Sequence, residues 1–210
     1  MDGYVSDKEQ LAIVKKWIQE NWISVILGVV LGLGIVYGWR FYKDWRLGRQ
    51  EQSSAQLLEL MRATQDGAAE RALTVGMQLA GAAATDQQAQ LAKLLTARLL
   101  AEQGKLEAAA QPLREVMEQA GMDAMRHVAR LRLARVLNAQ GKPAEALALL
   151  NIADVSVFGA DYDEVRGDLL LAQGDAVGAR AAYRAALDKR QGAADTQALQ
   201  MKLDDLGEAG

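Results

Sequence analysis

Between Glu20 and Arg40 the chain runs 19 residues without a formal charge, "NWISVILGVVLGLGIVYGW". As a helix rising about 1.5 Å per residue this stretch covers roughly 28 Å, close to the ~30 Å hydrocarbon core of a bilayer. Trp17 and Trp22 stand at one end; Tyr37, Trp39, Phe41, Tyr42 and Trp45 stand at the other. Amphipathic rings at both ends are what the two headgroup layers favour. A buried soluble helix has no need of such belts. The pattern predicts a transmembrane helix over 22–42, preceded by a tail over 1–21 and followed by a domain over 43–210. The tail is long and mixed in charge, and "GWRFYKDW" offers no small-x-small cleavage site, so the expectation is an uncleaved anchor.

The flanking charges leave sidedness open. Lys8, Lys15 and Lys16 precede the stretch, whereas Arg40, Lys43, Arg46 and Arg49 follow it. Counted by the positive-inside tendency, this leans slightly toward a cytoplasmic carboxyl side, but long domains are translocated largely regardless of charge.

Small residues recur every four positions at Ser24, Gly28 and Gly32, and again at Gly34 and Gly38. The two series lie about 200° apart around a helix, on nearly opposite faces. Two readings fit. Glycine is simply frequent in membrane helices, or each series is a face on which a neighbouring helix docks closely.

Beyond the anchor, the chain repeats itself. "LTARLLAEQGKLEAAAQPLREV" (95–116), "LRLARVLNAQGKPAEALALLNIA" (131–153) and "VRGDLLLAQGDAVGARAAYRAA" (165–186) share a Gln-Gly turn at Gly104, Gly141 and Gly174, and one further step back lands on Gly67. Seven residues before each turn glycine comes a small residue (Ala97, Ala134, Gly167), and four before it a leucine (Leu100, Leu137, Leu170). Five after comes alanine (Ala109, Ala146, Ala179), and nine after a larger residue (Leu113, Leu150, Tyr183). The copy around Gly67 keeps Ala72 and Leu79 but has Gly76 at the large position.

With only two prolines and abundant Ala, Leu, Gln, Glu and Arg, the chain is read as all-α. Each unit resembles the helix–turn–helix of the tetratricopeptide repeat, although the family's final proline is missing throughout. The expected architecture is an N-terminal transmembrane helix followed by a tetratricopeptide-repeat-like α-solenoid, with repeats over about 53–84, 90–120, 127–154 and 160–190. A capping helix over 195–206 places Leu199, Leu203 and Leu206 on one face. "RQEQSSAQLLELMRATQD" (49–66) is expected as the first repeat helix, and "GAAATD" (81–86) as a loop between repeats.

No catalytic constellation is legible, so no enzyme, cofactor or metal is expected. His127 is the only histidine and cysteine is absent, which removes histidine clusters, thiolate sites and disulfides. "DYDEVRGD" (161–168) gathers four carboxylates without the spacing of a calcium loop. Near a helix start, acids offset the macrodipole. Residues 50–210 carry 17 basic and 22 acidic side chains, which disfavours nucleic acid. Aligned with the repeat family, Arg98, Arg135, Asn138, Glu164 and Asp168 turn toward a concave face running from basic to acidic. That face either holds a partner's segment or is simply solvated.

As a whole, the chain resembles a bacterial family, the small inner-membrane ancillary subunit of the Sec translocon. The resemblance rests on "DKEQLAIVKKWIQEN", "GVVLGLGIVYGWRFY", "LRLARVLNAQGKPAEAL", "RGDLLLAQGDAVGARAAYRAAL" and "LQMKLDDL", in that order. It implies a cytoplasmic amino-terminal tail, one span of the bacterial inner membrane and a periplasmic repeat domain. It also implies a non-enzymatic adaptor whose partners are the translocon channel subunits, a membrane-anchored periplasmic folding chaperone and exported polypeptides. The flanking charges favour another reading, a cytoplasmic-facing repeat receptor or assembly factor of a different envelope complex.

Overall fold

Among the residues that the computed structural model describes (7–81, 87–190 and 196–207), every regular element is helical and no strand occurs. The order is α1 (Asp7–Gln65), α2 (Ala69–Ala80), α3 (Gln87–Glu102), α4 (Leu106–Gln119), α5 (Asp123–Ala139) and α6 (Pro143–Leu150). A short 3₁₀ turn (Ser156–Phe158) precedes α7 (Gly159–Ala172), α8 (Ala176–Lys189) and α9 (Gln197–Asp205). The loop expected over 81–86 lies outside the described residues except for Gly81. The chain divides into two compact units, Met1–Gln52 and Ser53–Gly210.

In the first unit, Ile26–Trp45 is long and apolar enough to cross a membrane by length and composition, and none of it is buried within the chain. Nothing stands within 4 Å of where a side chain would begin at Gly28, Gly32, Gly34 or Gly38. Asn21 breaks the helical path, with φ −118° and ψ 17°. Its side-chain amide donates to the Trp17 carbonyl at 3.0 Å. In a regular helix, the backbone N–H of Asn21 addresses that same carbonyl.

In the second unit the repeat punctuation has a backbone cause. Gly67, Gly104, Gly141 and Gly174 all adopt positive φ, between 70° and 85°, which costs a residue with a Cβ about 1–2 kcal/mol. At each turn the next residue's N–H returns to the carbonyl four before the glycine: Ala68 to Ala63, Lys105 to Leu100, Lys142 to Leu137 and Asp175 to Leu170, all at 2.9 Å. This closes the helix end. The second helix of each pair then starts two residues past the glycine, with Pro143 preorganising one start and the Asp175 carboxylate accepting from Gly178 N–H (2.8 Å) at another.

Small and large residues then interlock. Ala97, Ala134, Ala109, Ala146 and Ala179 are essentially inaccessible to solvent, as are Leu113, Leu150 and Tyr183. A Cβ on Gly167 would lie 2.4 Å from the Tyr183 ring, so glycine is what admits an aromatic there. Gly76 answers a different neighbour: a Cβ on it would meet the Thr96 hydroxyl at 2.3 Å. The degenerate position is thus a close crossing of α2 and α3.

Candidate partner-binding groove

The first helices of successive pairs lie side by side, α3 against α5 and α5 against α7. The residue six before each turn glycine recurs along this row as Met61, Arg98, Arg135 and Asp168. Arg98 and Arg135 come together at one open hollow of about 360 Å³. Ala97, Ala101, Leu113 and Val136 give it an apolar lining, while Arg98, Arg132, Arg135 and Glu102 supply its charges.

These arginines differ in their partners. Arg98 Nε donates to Glu102 at 2.7 Å, one helical turn on. Arg132 Nη1 donates to the Leu94 carbonyl at 3.3 Å. Burial, then the charges of Arg98 and Arg135, hold Arg132 below the ordinary arginine range. Arg135 is exposed and makes no ion pair among the described residues. Three arginines against the one Glu102 carboxylate leave the apolar hollow net positive, which suits a carboxylate-bearing occupant, because arginine pairs with carboxylates through two parallel hydrogen bonds. Asn138 is half-buried on the next turn and does not line the hollow.

The acidic end of the row is already occupied from within. Lys202 of α9 donates to Glu164 Oε1 (2.9 Å) and Asp168 Oδ1 (2.7 Å). The Tyr183 hydroxyl donates to the same Asp168 oxygen at 2.8 Å. Arg190 closes the set on Glu164 Oε2 at 3.0 Å and Asp161 Oδ1 at 2.5 Å, and Lys189 takes Asp163 at 2.5 Å. Burial alone would raise the Glu164 pKa; Lys202, Arg190 and Arg135 more than offset this and hold it below the usual carboxylate range. Burial would lower Lys202, yet Asp168 and Glu164 raise it. Burial and Asp168 together push the Tyr183 hydroxyl well above its ordinary value. Of the residues expected along the basic-to-acidic face, Glu164 and Asp168 are thus engaged with the terminal helix, and Arg98 and Arg135 line the open hollow.

Three contributors escaped the sequence reading. Arg132 lies nine before Gly141, a row the repeat comparison did not use. Lys202 lies five before Gly207, where the three preceding copies place Leu99, Val136 and Leu169. Gly207, at φ 66°, is a further turn glycine 33 residues after Gly174, and that spacing was the available signal. Arg190 lies beyond the compared segments.

His127 is buried and structural. Its Nδ1 sits 2.9 Å from the Tyr162 hydroxyl, and its ring stacks on Phe158 at 5.1 Å, joining α5 to α7. Among the described residues, no group of three or more His, Asp or Glu is placed to hold a metal ion.

Comparison with known proteins gives the same pattern. A family model described as a tetratricopeptide repeat-like domain matches residues 15–208. The chain is similar to the ancillary SecYEG translocon subunit of Escherichia coli (strain K12), 29% identical over 98% of this chain and 99% of that protein. It is also similar to the ancillary SecYEG translocon subunit of Haemophilus influenzae, 28% identical over 61 residues, which are 29% of this chain and 30% of that protein.

Proposed function

The chain belongs to the tetratricopeptide repeat-like domain family, and on that premise we propose that it is a non-enzymatic, membrane-anchored adaptor of the Sec translocon. The observation that carries the reading is similarity to an ancillary translocon subunit from end to end, anchor and repeats together. The anchor would dock in the membrane part of the machinery through the Ser24–Gly28–Gly32 and Gly34–Gly38 faces. Small residues at every fourth position let a neighbouring helix approach closely.

The repeat domain would stand in the periplasm and link a membrane-anchored folding chaperone to exported polypeptides. Its contact surface is the open groove around Arg98, Arg132 and Arg135, extended by Asn138. Glu164 and Asp168 would support that surface by fixing α9 at its end. An acidic segment is the occupant its charges suit.

In-cell photocrosslinking tests this, with probes placed singly at Gly28, Gly34, Arg98 and Arg135. Adducts of the anchor positions with channel subunits, and of the groove positions with a different protein, support the reading. Groove probes that capture nothing, beside anchor probes that do, would confine the function to the anchor.

The basic residues Arg40, Lys43, Arg46 and Arg49 favour the other reading, a repeat domain facing the cytoplasm. Protease added to cells with only the outer membrane opened separates the two: digestion of the repeat domain supports the periplasmic placement, and full protection supports the cytoplasmic one.

A further inference from the structure

The segment just before the anchor is apolar on one side only. From Asn21 to Trp39 apolar residues surround the helix, as hydrocarbon requires. In the preceding turns Leu11, Val14, Trp17 and Ile18 fall within an arc of about 120°, at 100° per residue, and Lys15, Lys16, Gln19 and Glu20 fill the opposite side. All four apolar side chains are exposed, between 46% and 69%. Lys16 and Glu20 approach to 4.0 Å along the polar side. The break at Asn21 falls between the one-sided and the all-apolar segments.

We infer that residues 11–20 form a helix lying in the membrane interface, with the Leu11–Val14–Trp17–Ile18 face among the lipid acyl chains and Lys15 and Lys16 among the headgroups. Three observations on this segment name lipid as the occupant. The apolar face is followed, past the single polar residue Asn21, by a stretch long enough to span the bilayer. Trp17 precedes Trp22 by five residues at the start of the apolar stretch, and amphipathic rings there favour the headgroup layer. The two lysines match anionic headgroups on the polar side, where a basic amphipathic helix carries them.

Asn21 makes the change of direction cheap. A helix axis turns sharply where a side chain enters the i to i−4 ladder, and the Asn21 amide keeps the Trp17 carbonyl satisfied at the break. A straight run along the axis of the span would instead carry the Leu11–Val14–Trp17–Ile18 face past the headgroups into water, leaving its apolar area exposed at a cost of about 25 cal/mol per Å². Lying flat avoids that cost. The inference does not depend on which side of the membrane the tail occupies.

The chain contains no cysteine, so single spin labels can be placed on the full-length protein without background. Labels at Val14→Cys, Lys16→Cys, Ile18→Cys and Gln19→Cys would be read in vesicles of phosphatidylcholine with phosphatidylglycerol, by collision with oxygen and with a water-soluble nickel chelate. The expected result is an oxygen-to-nickel ratio about threefold or more higher at 14 and 18 than at 16 and 19, with 14 and 18 at similar depth. Equal nickel access at all four positions would place the helix in water and overturn the inference. Depth increasing steadily from 14 to 19 would make the segment part of the span and overturn it too. A label at 14 shielded from both reagents would name a protein, or a second copy of the chain, as the covering surface instead.

Discussion

Gly167 and Tyr183 occupy one space: a methyl group on Gly167 would sit 2.4 Å from the Tyr183 ring. The equivalent pairs in the two preceding copies are Ala97 with Leu113 and Ala134 with Leu150. As the residue seven before the turn glycine shrinks, the one nine after it grows. The repeat holds the sum of the two side chains rather than either identity.

Gly167→Ala is therefore expected to destabilise the protein by about 1–3 kcal/mol through overpacking. Tyr183→Leu alone should also destabilise, because the hydroxyl bond to Asp168 is lost. The double variant recreates the Ala–Leu pairing of the other copies and should cost less than the sum of the singles, with a coupling of about 1 kcal/mol or more by urea unfolding. Strict additivity would show that the two positions do not share volume.

At Gly141 the constraint is backbone alone. Its φ is 76°, yet nothing lies within 4 Å of a would-be Cβ. Gly141→Ala should cost about 1–2 kcal/mol from the left-handed conformation. Gly48, which sits inside α1 with the same open space, should tolerate alanine without loss or gain a few tenths of a kcal/mol in helix propensity. Thermal unfolding of the two single variants compares them directly.

Lys202 ties α9 to α7 through Glu164 and Asp168. Lys202→Met should loosen α9 by about 1–2 kcal/mol, the cost of leaving hydrogen-bonded carboxylates without their partner. Limited proteolysis at the carboxyl terminus reports it, with faster cleavage in Lys202→Met than in the unaltered chain; equal cleavage would show that the two bridges do not hold α9.

The same network has a defined acid limit. Glu164 has a folded pKa below its unfolded value, so its contribution is complete above the ordinary glutamate pKa of about 4.3 and is lost as pH falls through the lowered folded value. Lys202 has a raised folded pKa, so its contribution is complete below the ordinary lysine pKa of about 10.4 and is lost as pH rises through the raised value. Stability followed by urea unfolding should decline below about pH 4, and Glu164→Gln should flatten that decline. An unchanged slope in the variant would remove Glu164 from the titration.

The all-helical repeat architecture was legible because it is local. Turn glycines, helix spacing and the small-large alternation each sit within one copy, and three copies in register multiply a weak signal. The groove was legible only in part. Arg98 and Arg135 share a repeat position, so the register places them; Arg132 is placed by the packing of α5 on α3. The fate of Glu164 and Asp168 depended on Lys202, which lies 34 residues beyond Asp168, in a row five before the turn glycine that the repeat comparison did not use. Asn21 hid in plain view, because an uncharged residue next to an apolar run reads as part of it.

The central claim, association with the Sec translocon through an anchored repeat domain, is tested most directly by purifying the full chain from native membranes in mild detergent and probing for the channel subunit. Co-purification of the channel is expected, persisting when Arg132 and Arg135 are both changed to Glu and falling when Gly28 and Gly34 are changed to Leu. An intact, membrane-extracted chain that carries no channel subunit with it would contradict the claim.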